Sequence, residues 1–420
     1  MLKELTIKNF RSFKEEVIFS MEADNDRVSE HLDHIIDICN NKILKVASMY
    51  GPNGGGKTNL IMALSLLNAI VTHDDDETFN PKSIKCAFSD NEEVEFTTFF
   101  IVDEYEIGLK LIFETEIEDF LYFNKSEKLI DYINNINIVY ESVVYRMKDE
   151  FDFNLLYERD NKGILSSELL KSIDVRLPNL AKSKTVLSKI YDEYANTDYV
   201  TSIYIDIIKK LYNEVNFIVN LNIDFHIPFQ KKIVLKYKEK LIELLNNVDI
   251  KISNINVYEN KPDTIYFERE ININNKKIIR ELPLFDESIG TKKIFKIFLA
   301  LLFFKDKNAI FYFDDMNSFL HPKLFKAVVQ YFNSMENKTC QLIFNSHDIL
   351  NMTNELFRRD EIWFVYRDEN YSSKILPLSN IVNYKGEQVR KDAKFYKQYI
   401  EGRYGADPFI KKGLGWYEGT

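Results

Sequence analysis

Hydrophobic and polar residues alternate with a period of two in two parts of the first 120 residues, and this pattern predicts antiparallel strands. The first part covers residues 1–19 and is broken by a polar corner at residues 9–14. The second covers residues 94–113 and is broken by a turn at Asp103 and Glu104. Each part reads as a β-hairpin, so an antiparallel β layer is expected near the amino terminus.

From about residue 121 to residue 248 the hydrophobic period becomes helical, which predicts an inserted helical arm. Strands are predicted again over residues 252–284. Further on, the chain shows apolar strand-like runs at 308–313 and 341–344, a helix after Pro322, and a strand at 361–366. The fold class is therefore α/β, an alternating core interrupted by helices. The predicted domains are an N-terminal lobe (1–120), a helical insertion (121–250) and a C-terminal lobe (251–420).

Residues 51–58 read GPNGGGKT and fit the pattern G-x-x-x-x-G-K-[ST] in full. An apolar run, 43–50, precedes them, and a helical pattern, 59–71, follows. Glycines in such a loop allow backbone amides to converge on phosphate oxygens at the positive end of the helix. Lys57 supplies a cation for the β- and γ-phosphates and Thr58 a hydroxyl for Mg²⁺. The motif predicts binding of ATP or GTP, with contacts from Asn53, Gly54, Gly55, Gly56, Lys57, Thr58 and Asn59.

The apolar strand IFYFDD ends in two acids that complete the predicted nucleotide site. Asp314 is expected to hold Mg²⁺, and Asp315 is the candidate base that polarises the attacking water. The next predicted strand ends at Asn345-Ser346-His347-Asp348, where His347 could report a γ-phosphate. The predicted catalytic residues are Lys57, Asp315 and His347. His321, which precedes a proline, can equally begin a helix, and it is not counted as catalytic.

Residues 287–291 read ESIGT and precede an apolar helix. Taken alone they leave two interpretations open: an ordinary helix N-cap, or a second phosphate-binding helix terminus. The second interpretation places Ser288, Gly290 and Thr291 on ATP shared between two subunits. It is favoured by the order of the parts, since P-loop, insertion, ESIGT, acidic strand and histidine follow one another as in ABC-type ATPase heads.

Composition narrows the class of protein. The net charge of -10 and the sequence pI near 5.4 give no global attraction to DNA, although a local basic face stays possible. The longest apolar stretch, 294–304, is interrupted by Lys296 and is short for a membrane span. The first residues carry charges throughout and do not form a secretory signal. Three widely spaced cysteines suit a reducing compartment, so a cytoplasmic location is expected.

The chain resembles the bacterial AAA15 ATP-binding proteins, relatives of the overcoming-lysogenisation-defect, RecF and Rad50 ATPase heads. The resemblance rests on phrases at both ends of the chain and leaves most of the insertion unmatched. These phrases are NFRSF at 9–13, GPNGGGKT, LLNNVDIKI at 244–252, ESIGTKK at 287–293, FDDMNSFLHP at 313–322, NSHD, and YIEGRYGADP at 399–408.

The resemblance implies an ABC/RecF-like P-loop NTPase head that binds ATP and Mg²⁺ and dimerises around two nucleotides. It adds Arg11 of NFRSF to the nucleotide contacts. It also implies a role in phage-defence or abortive-infection modules, in which the ATPase is paired with a separate effector protein. Two alternatives remain: a DNA-repair ATPase of the RecF or Rad50 kind, and a nucleotide-locked scaffold without useful turnover.

One departure from the family concerns the candidate base. The family usually has glutamate where this chain has Asp315, and the missing methylene withdraws the carboxylate by roughly 1.5 Å. A displacement of about 1 Å at a catalytic group can cost on the order of a hundredfold in rate. Slow hydrolysis is therefore expected, which suits a sensor better than a motor. The family phrase also has an acid where Asn317 stands, and Asn317 is placed outside the core site.

Overall fold

Strands form two large sheets and two small ones in the computed structural model. It describes residues 1–24, 31–73, 84–115, 135–167, 181–194, 203–221, 230–258, 265–274, 276–305, 307–382 and 386–405. In these ranges the strands are β1 (Leu2–Lys8), β2 (Val17–Ser20), β3 (Ile35–Ile38), β4 (Asn41–Leu44), β5 (Val46–Tyr50), β6 (Val94–Val102), β7 (Tyr105–Thr115), β8 (Ile136–Met147), β9 (Asn154–Asp160), β10 (Gly163–Ser167), β11 (Ile218–Asn220), β12 (Asn254–Val257), β13 (Ile265–Ile273), β14 (Lys276–Pro283), β15 (Ala309–Phe313), β16 (Cys340–Asn345), β17 (Ile362–Arg367) and β18 (Ser373–Pro377).

The same ranges contain seven α-helices. They are α1 (Lys57–Thr72), α2 (Val186–Tyr194), α3 (Ile203–Asn216), α4 (Gln230–Asn247), α5 (Ile289–Phe304), α6 (Pro322–Asn333) and α7 (Phe395–Ile400). No helix in the described ranges is long and apolar enough to cross a bilayer.

The larger sheet is antiparallel, with strand order β10-β9-β8-β7-β6-β1-β2. Both predicted hairpins are confirmed, since β1 pairs with β2 and β6 pairs with β7 in antiparallel register. The pair Val102 and Tyr105 closes the second hairpin around the predicted turn. The predicted antiparallel layer is therefore present, and it is wider than expected.

The prediction of helical structure from residue 121 onward is wrong between Ile136 and Ser167, where the chain forms β8, β9 and β10. These strands extend the antiparallel sheet from the outer side of β7. Register shifts at Ile112/Phe113 and at Val143/Val144 interrupt the regular alternation of these strands, which weakens a period-two signal in the sequence. Residues 121–134 lie outside the described part of the chain, and the proposed domain boundaries stay predictions.

The second large sheet, called the mixed sheet below, has the order β11-β15-β16-β5-β17-β18 and is parallel except for the last pair. Both of its faces are covered, as is usual for parallel strands. Alternate side chains of β15 belong to two different cores: Ile310 and Tyr312 pack toward the antiparallel sheet, whereas Phe311 and Phe313 pack on the opposite side. The first core includes α1, α2 and α3, and the second includes α4, α5 and α6.

The predicted elements of the C-terminal half are confirmed with small shifts at their ends. The apolar runs become β15 and β16, the helix after Pro322 is α6, and the last predicted strand is β17. His321 caps α6, because its Nδ1 accepts a hydrogen bond from the Lys323 amide at 3.2 Å. The phrase at 399–408 is described only as far as Gly405.

Candidate nucleotide site

The predicted P-loop joins the end of β5 to the first turn of α1. Gly51 and Gly56 have φ angles of 147° and 114°, a backbone region that favours glycine. A Cβ atom on Gly51 would lie 2.0 Å from the backbone oxygen of Val365, so this position also needs glycine for close packing on β17. These glycines therefore let the loop lead from β5 to the amino terminus of α1, the kind of helix end that can bind an anion.

Lys57 is the first residue of α1, and 6% of it is exposed. Its ammonium donates hydrogen bonds to the backbone oxygens of Gly51 at 2.8 Å and Pro52 at 3.0 Å. Burial lowers the pKa of Lys57, an effect that the negative charges of Asp314 and Asp315 oppose. A desolvated cation held against the loop is well suited to bind an anion there.

Thr58 and Asp314 meet at the carboxyl end of the mixed sheet. The Thr58 hydroxyl donates to Oδ1 of Asp314 at 2.9 Å, and the Asn345 side-chain amide donates to the same oxygen. The Oδ1 atom of Asn345 accepts a hydrogen bond from the Asp315 amide at 2.5 Å. One asparagine thus holds both acids that follow β15. Asn345 is almost fully buried, which fixes this geometry.

Asp315 adopts a φ angle of 54°, in the left-handed region that asparagine and aspartate tolerate better than most residues. Its Oδ2 accepts a hydrogen bond from the Ser318 hydroxyl. Its Oδ1 is buried and has no hydrogen-bond partner within the described ranges. An unpaired buried carboxylate oxygen is costly, and it is a common feature of a site built for a ligand or a water molecule.

Lys293, in the first turns of α5, supports the loop that follows Asp315. Its ammonium donates to the backbone oxygens of Asp315 at 3.2 Å and Ser318 at 3.1 Å. Burial lowers the pKa of Lys293 to about 8, although the nearby charges of Asp315 and Asp314 oppose this shift. Lys293 therefore connects α5, the helix that begins at ESIGT, to the loop after β15 through hydrogen bonds.

The residues present fit a nucleotide with Mg²⁺. A threonine hydroxyl and a carboxylate are hard oxygen ligands of the kind that Mg²⁺ prefers, and Thr58 and Asp314 place them within 2.9 Å of each other. Lys57 stands beside them at the loop. The unpaired oxygen of Asp315 belongs to the next residue along the same strand end.

The NFRSF turn packs against the other side of the P-loop. The Ser12 hydroxyl accepts hydrogen bonds from the Asn59 amide at 2.6 Å and from the Ser373 hydroxyl at 2.7 Å. Ser373 is fully buried, and its hydroxyl also lies 2.6 Å from the backbone oxygen of Gly55. Asn59 thus holds the turn, and its contact with nucleotide stays a prediction. The guanidinium of Arg11 contacts the sulfur of Met62 on α1.

The ESIGT segment forms the start of α5. Ser288 is its N-cap, with Oγ accepting from the Thr291 amide at 3.1 Å and lying 2.9 Å from the Thr291 hydroxyl. A Cβ atom on Gly290 would lie 2.5 Å from the backbone oxygen of Phe319, so the segment packs tightly on the loop after Asp315. Ile289 and Phe319 are 52% and 69% exposed, which leaves this end of α5 open to the surface. The N-cap interpretation is correct. It does not exclude that the same helix terminus binds a phosphate of ATP shared between two subunits, which stays a prediction.

A cleft of about 450 Å³ lies between α5 and the acidic strand end. Among its lining residues are Lys292, Lys293 and Lys296 of α5 on one side, and Asp314 and Asp315 on the other. The cleft therefore has the predicted metal ligand Asp314 on one side and the basic face of α5 on the other.

His347 lies two residues beyond the end of β16, and it is exposed. Its backbone amide donates to Oδ1 of Asn317 at 3.1 Å, and the Ser346 hydroxyl donates to the same atom at 2.9 Å. Asn317, which the sequence placed outside the core site, thus positions the residue predicted as a switch. The role of His347 itself stays a prediction.

The structure brings together Lys57, Thr58, Asp314 and Asp315, the centre of the predicted site. It adds four residues to which the sequence gave no role: Ser12, Lys293, Asn345 and Ser373. Asn345 could have been found from the sequence, since it is a polar residue at the end of the apolar strand that follows the one ending in the acids. Ser373 could not have been found, because the sequence around it has no pattern that places it beside Gly55, 318 positions earlier.

The strand order, the P-loop and the acidic strand end define the class as a P-loop ATPase head. Residues 46–352, more than half of the chain, match the family AAA_21, described as "AAA domain, putative AbiEii toxin, Type IV TA system". The chain therefore belongs to this family. No curated protein matches it.

Two solved structures are similar over nearly the whole chain. One is the SMC head domain from Thermotoga maritima, at 15% identity and a TM-score of 0.40, with 90% of this chain and 98% of that chain covered. The other is an SMC head bound to the C-terminal winged-helix domain of ScpA, at 13% identity and a TM-score of 0.41, with coverage of 89% and 96%.

Proposed function

We propose that the protein is an Mg²⁺-dependent ATPase that dimerises around ATP and regulates a separate effector protein in a bacterial defence module. The observation that carries the ATPase part is the hydrogen-bonded chain from Thr58 through Asp314 and Asn345 to Asp315. It joins the P-loop, the candidate metal ligand and the candidate base in one half-buried arrangement around the buried Asn345.

Each side chain has a definite task in this proposal. The loop amides and Lys57 bind and orient the phosphates, while Thr58 and Asp314 would hold the metal ion. Bound Mg²⁺–ATP supplies the phosphoryl group and the positive charge that neutralises its oxygens. Asp315 polarises the attacking water through a carboxylate whose other oxygen is already bonded to Ser318. Its short arm and this local bond both support slow turnover.

The ATPase part is tested with Lys57→Ala and, as a matched control, Lys251→Ala, which alters an exposed lysine. Mg²⁺–ATP at about a hundred times the dissociation constant should stabilise the wild type by roughly 2.7 kcal/mol. The melting temperature of Lys57→Ala should rise much less, and its turnover should fall to background. An equal shift in all three proteins would remove the P-loop from the proposal.

Regulation of a separate effector is supported by the family description, which names a toxin–antitoxin system. It is also supported by the resemblance to AAA15 proteins and by the expected slow turnover. A long-lived ATP-bound state can hold a partner only if the partner binds the two nucleotide states with different affinities.

This part is tested by pull-down of the protein from its native host, with Mg²⁺–ATP and then without nucleotide. A specific non-ATPase protein should be retained far more in one condition, and Lys57→Ala should abolish the difference. If no protein is retained in either condition and the purified ATPase binds DNA with a steep salt dependence, the DNA-repair alternative replaces this proposal.

A further inference from the structure

Three side chains that could ligate a metal ion meet in the segment HLDH before β3. His31, Asp33 and His34 each place one ligand atom within 4.8 Å of the ligand atoms of the other two. The two imidazole rings lie 4.5 Å apart, centroid to centroid. His34 is buried, His31 is half-buried and Asp33 is exposed, so the group is anchored on one side and open to solvent on the other.

Both imidazoles have one ring nitrogen bonded to an acceptor outside the group. Nε2 of His31 lies 2.8 Å from the backbone oxygen of Asn354, and Nδ1 of His34 lies 3.0 Å from the carboxylate of Glu361. A backbone oxygen and an ionised carboxylate can only accept, so we assign the proton to each bonded nitrogen. The lone pairs are then left on Nδ1 of His31 and Nε2 of His34. Histidines that bind metals are nearly always held in this way by a carboxylate or a backbone oxygen.

The backbone of the segment is fixed as well. The ammonium of Lys45 donates to the backbone oxygen of Asp33 at 2.5 Å and to that of Ser334 at 2.8 Å. Glu361 is fully buried, and it also accepts a hydrogen bond from the Arg358 amide at 2.7 Å. Two imidazoles whose ring nitrogens and backbone are held by buried partners give the support that a preorganised metal site needs.

Two imidazoles and one carboxylate suit Zn²⁺, which takes nitrogen and oxygen ligands in tetrahedral geometry. We propose that His31, Asp33 and His34 form a zinc site with water as the fourth ligand. Because Asp33 is exposed, its side chain can rotate to close the remaining gap to the imidazoles.

The position of the site indicates a stabilising role. Glu361 precedes β17, and its backbone oxygen accepts a hydrogen bond from the Ser48 hydroxyl of β5 at 3.1 Å. Lys45, which holds the backbone oxygen of Asp33, immediately precedes β5, and the P-loop leaves the other end of this strand. The site therefore supports the amino end of β5 and not the nucleotide end. Bound zinc should therefore raise the stability of the fold without changing nucleotide binding.

The experiment uses the full, untagged chain, freed of metal with a chelator and then titrated with Zn²⁺ or with Co²⁺ as a visible probe. The wild type should bind one equivalent of Zn²⁺, show the d–d absorption of tetrahedral Co²⁺, and melt at a higher temperature with Zn²⁺. His31→Gln and Asp33→Asn should each weaken Zn²⁺ binding by at least about tenfold. His321→Gln, which alters a histidine that only caps α6, should bind Zn²⁺ like the wild type.

Folding of the variants is checked through the thermal shift with Mg²⁺–ATP, which should be unchanged in all of them. A wild type without stoichiometric Zn²⁺ binding would overturn the proposal. Equal Zn²⁺ affinity in the wild type, His31→Gln and Asp33→Asn would overturn it too, because the metal would then bind elsewhere, for example at the cysteines.

Discussion

The hydroxyl of Thr58 donates a hydrogen bond to Oδ1 of Asp314 at 2.9 Å, across 256 positions of sequence. The contact forms because β5 and β15 both belong to the parallel part of the mixed sheet and end at the same edge. The sheet thus brings together Thr58, which follows the P-loop lysine, and Asp314, which follows the apolar strand β15.

Asn345 should matter as much as the acids it holds. In Asn345→Leu the side chain no longer bonds Asp314 or the Asp315 amide, so turnover should fall by about tenfold or more, and stability by about 1–3 kcal/mol. Steady-state ATPase assays over a range of Mg²⁺ concentrations and urea unfolding measure the two effects. Asn317→Ala is the matched variant, because it frees Ser346 and His347 but leaves both acids held. Wild-type turnover in Asn345→Leu would show that the acids need no such support.

Asp315 should limit hydrolysis through its reach. Asp315→Glu is expected to speed turnover, since the longer arm extends the carboxylate by roughly 1.5 Å. Asp315→Asn should nearly abolish turnover and leave ATP binding intact. Single-turnover measurements with saturating enzyme separate the chemical step from product release. Undiminished turnover in the Asn variant would mean that another group activates water.

The exposed amino end of α5 should complete the nucleotide site of a second subunit. Lys57→Ala and Ser288→Arg should each be inactive alone, but a mixed dimer has one composite site with both halves intact. Some hydrolysis should therefore return when the two variants are mixed. Subunit exchange is verified with differently labelled chains. No recovery despite exchange would indicate that each chain completes its own site, or that both sites must act together.

Lys293 should make stability depend on pH in a defined window. Its folded-state pKa is about 8, below the ordinary value of 10.5, so between these values the unfolded chain binds more protons than the folded one. The free energy of unfolding of the wild type should therefore rise with pH in this window relative to Lys293→Met. Urea unfolding from pH 7.5 to pH 10 measures the difference. Lys251→Met, at an exposed position, should follow the wild type. Parallel curves for wild type and Lys293→Met would refute the assignment.

The sequence predicted the parts of the site that depend on local order. The P-loop could be predicted because strand, glycines and helix follow one another without interruption. Asp314 could be predicted because it directly follows an apolar strand. The hairpins were readable because strict alternation marks a sheet with one buried face. These features need only a few neighbouring residues to be recognised.

The parts that were missed depend on pairing between distant segments. Bulges between β7, β8 and β9 hide three strands within a region of apparent helical period. The contact of Ser373 with Gly55 and the contact of Lys293 with the oxygen of Asp315 arise only after the sheets and helices have packed. A single sequence contains no local pattern for either contact.

Gly51 is pressed against the backbone of Val365, and this packing has a consequence for the kinetics of ligand association. A loop held in place by the neighbouring strand needs no further ordering when nucleotide arrives, since its conformational entropy is already lost during folding. Association should then proceed at a rate set mainly by diffusion and orientation, and the lifetime of the complex should be governed by dissociation.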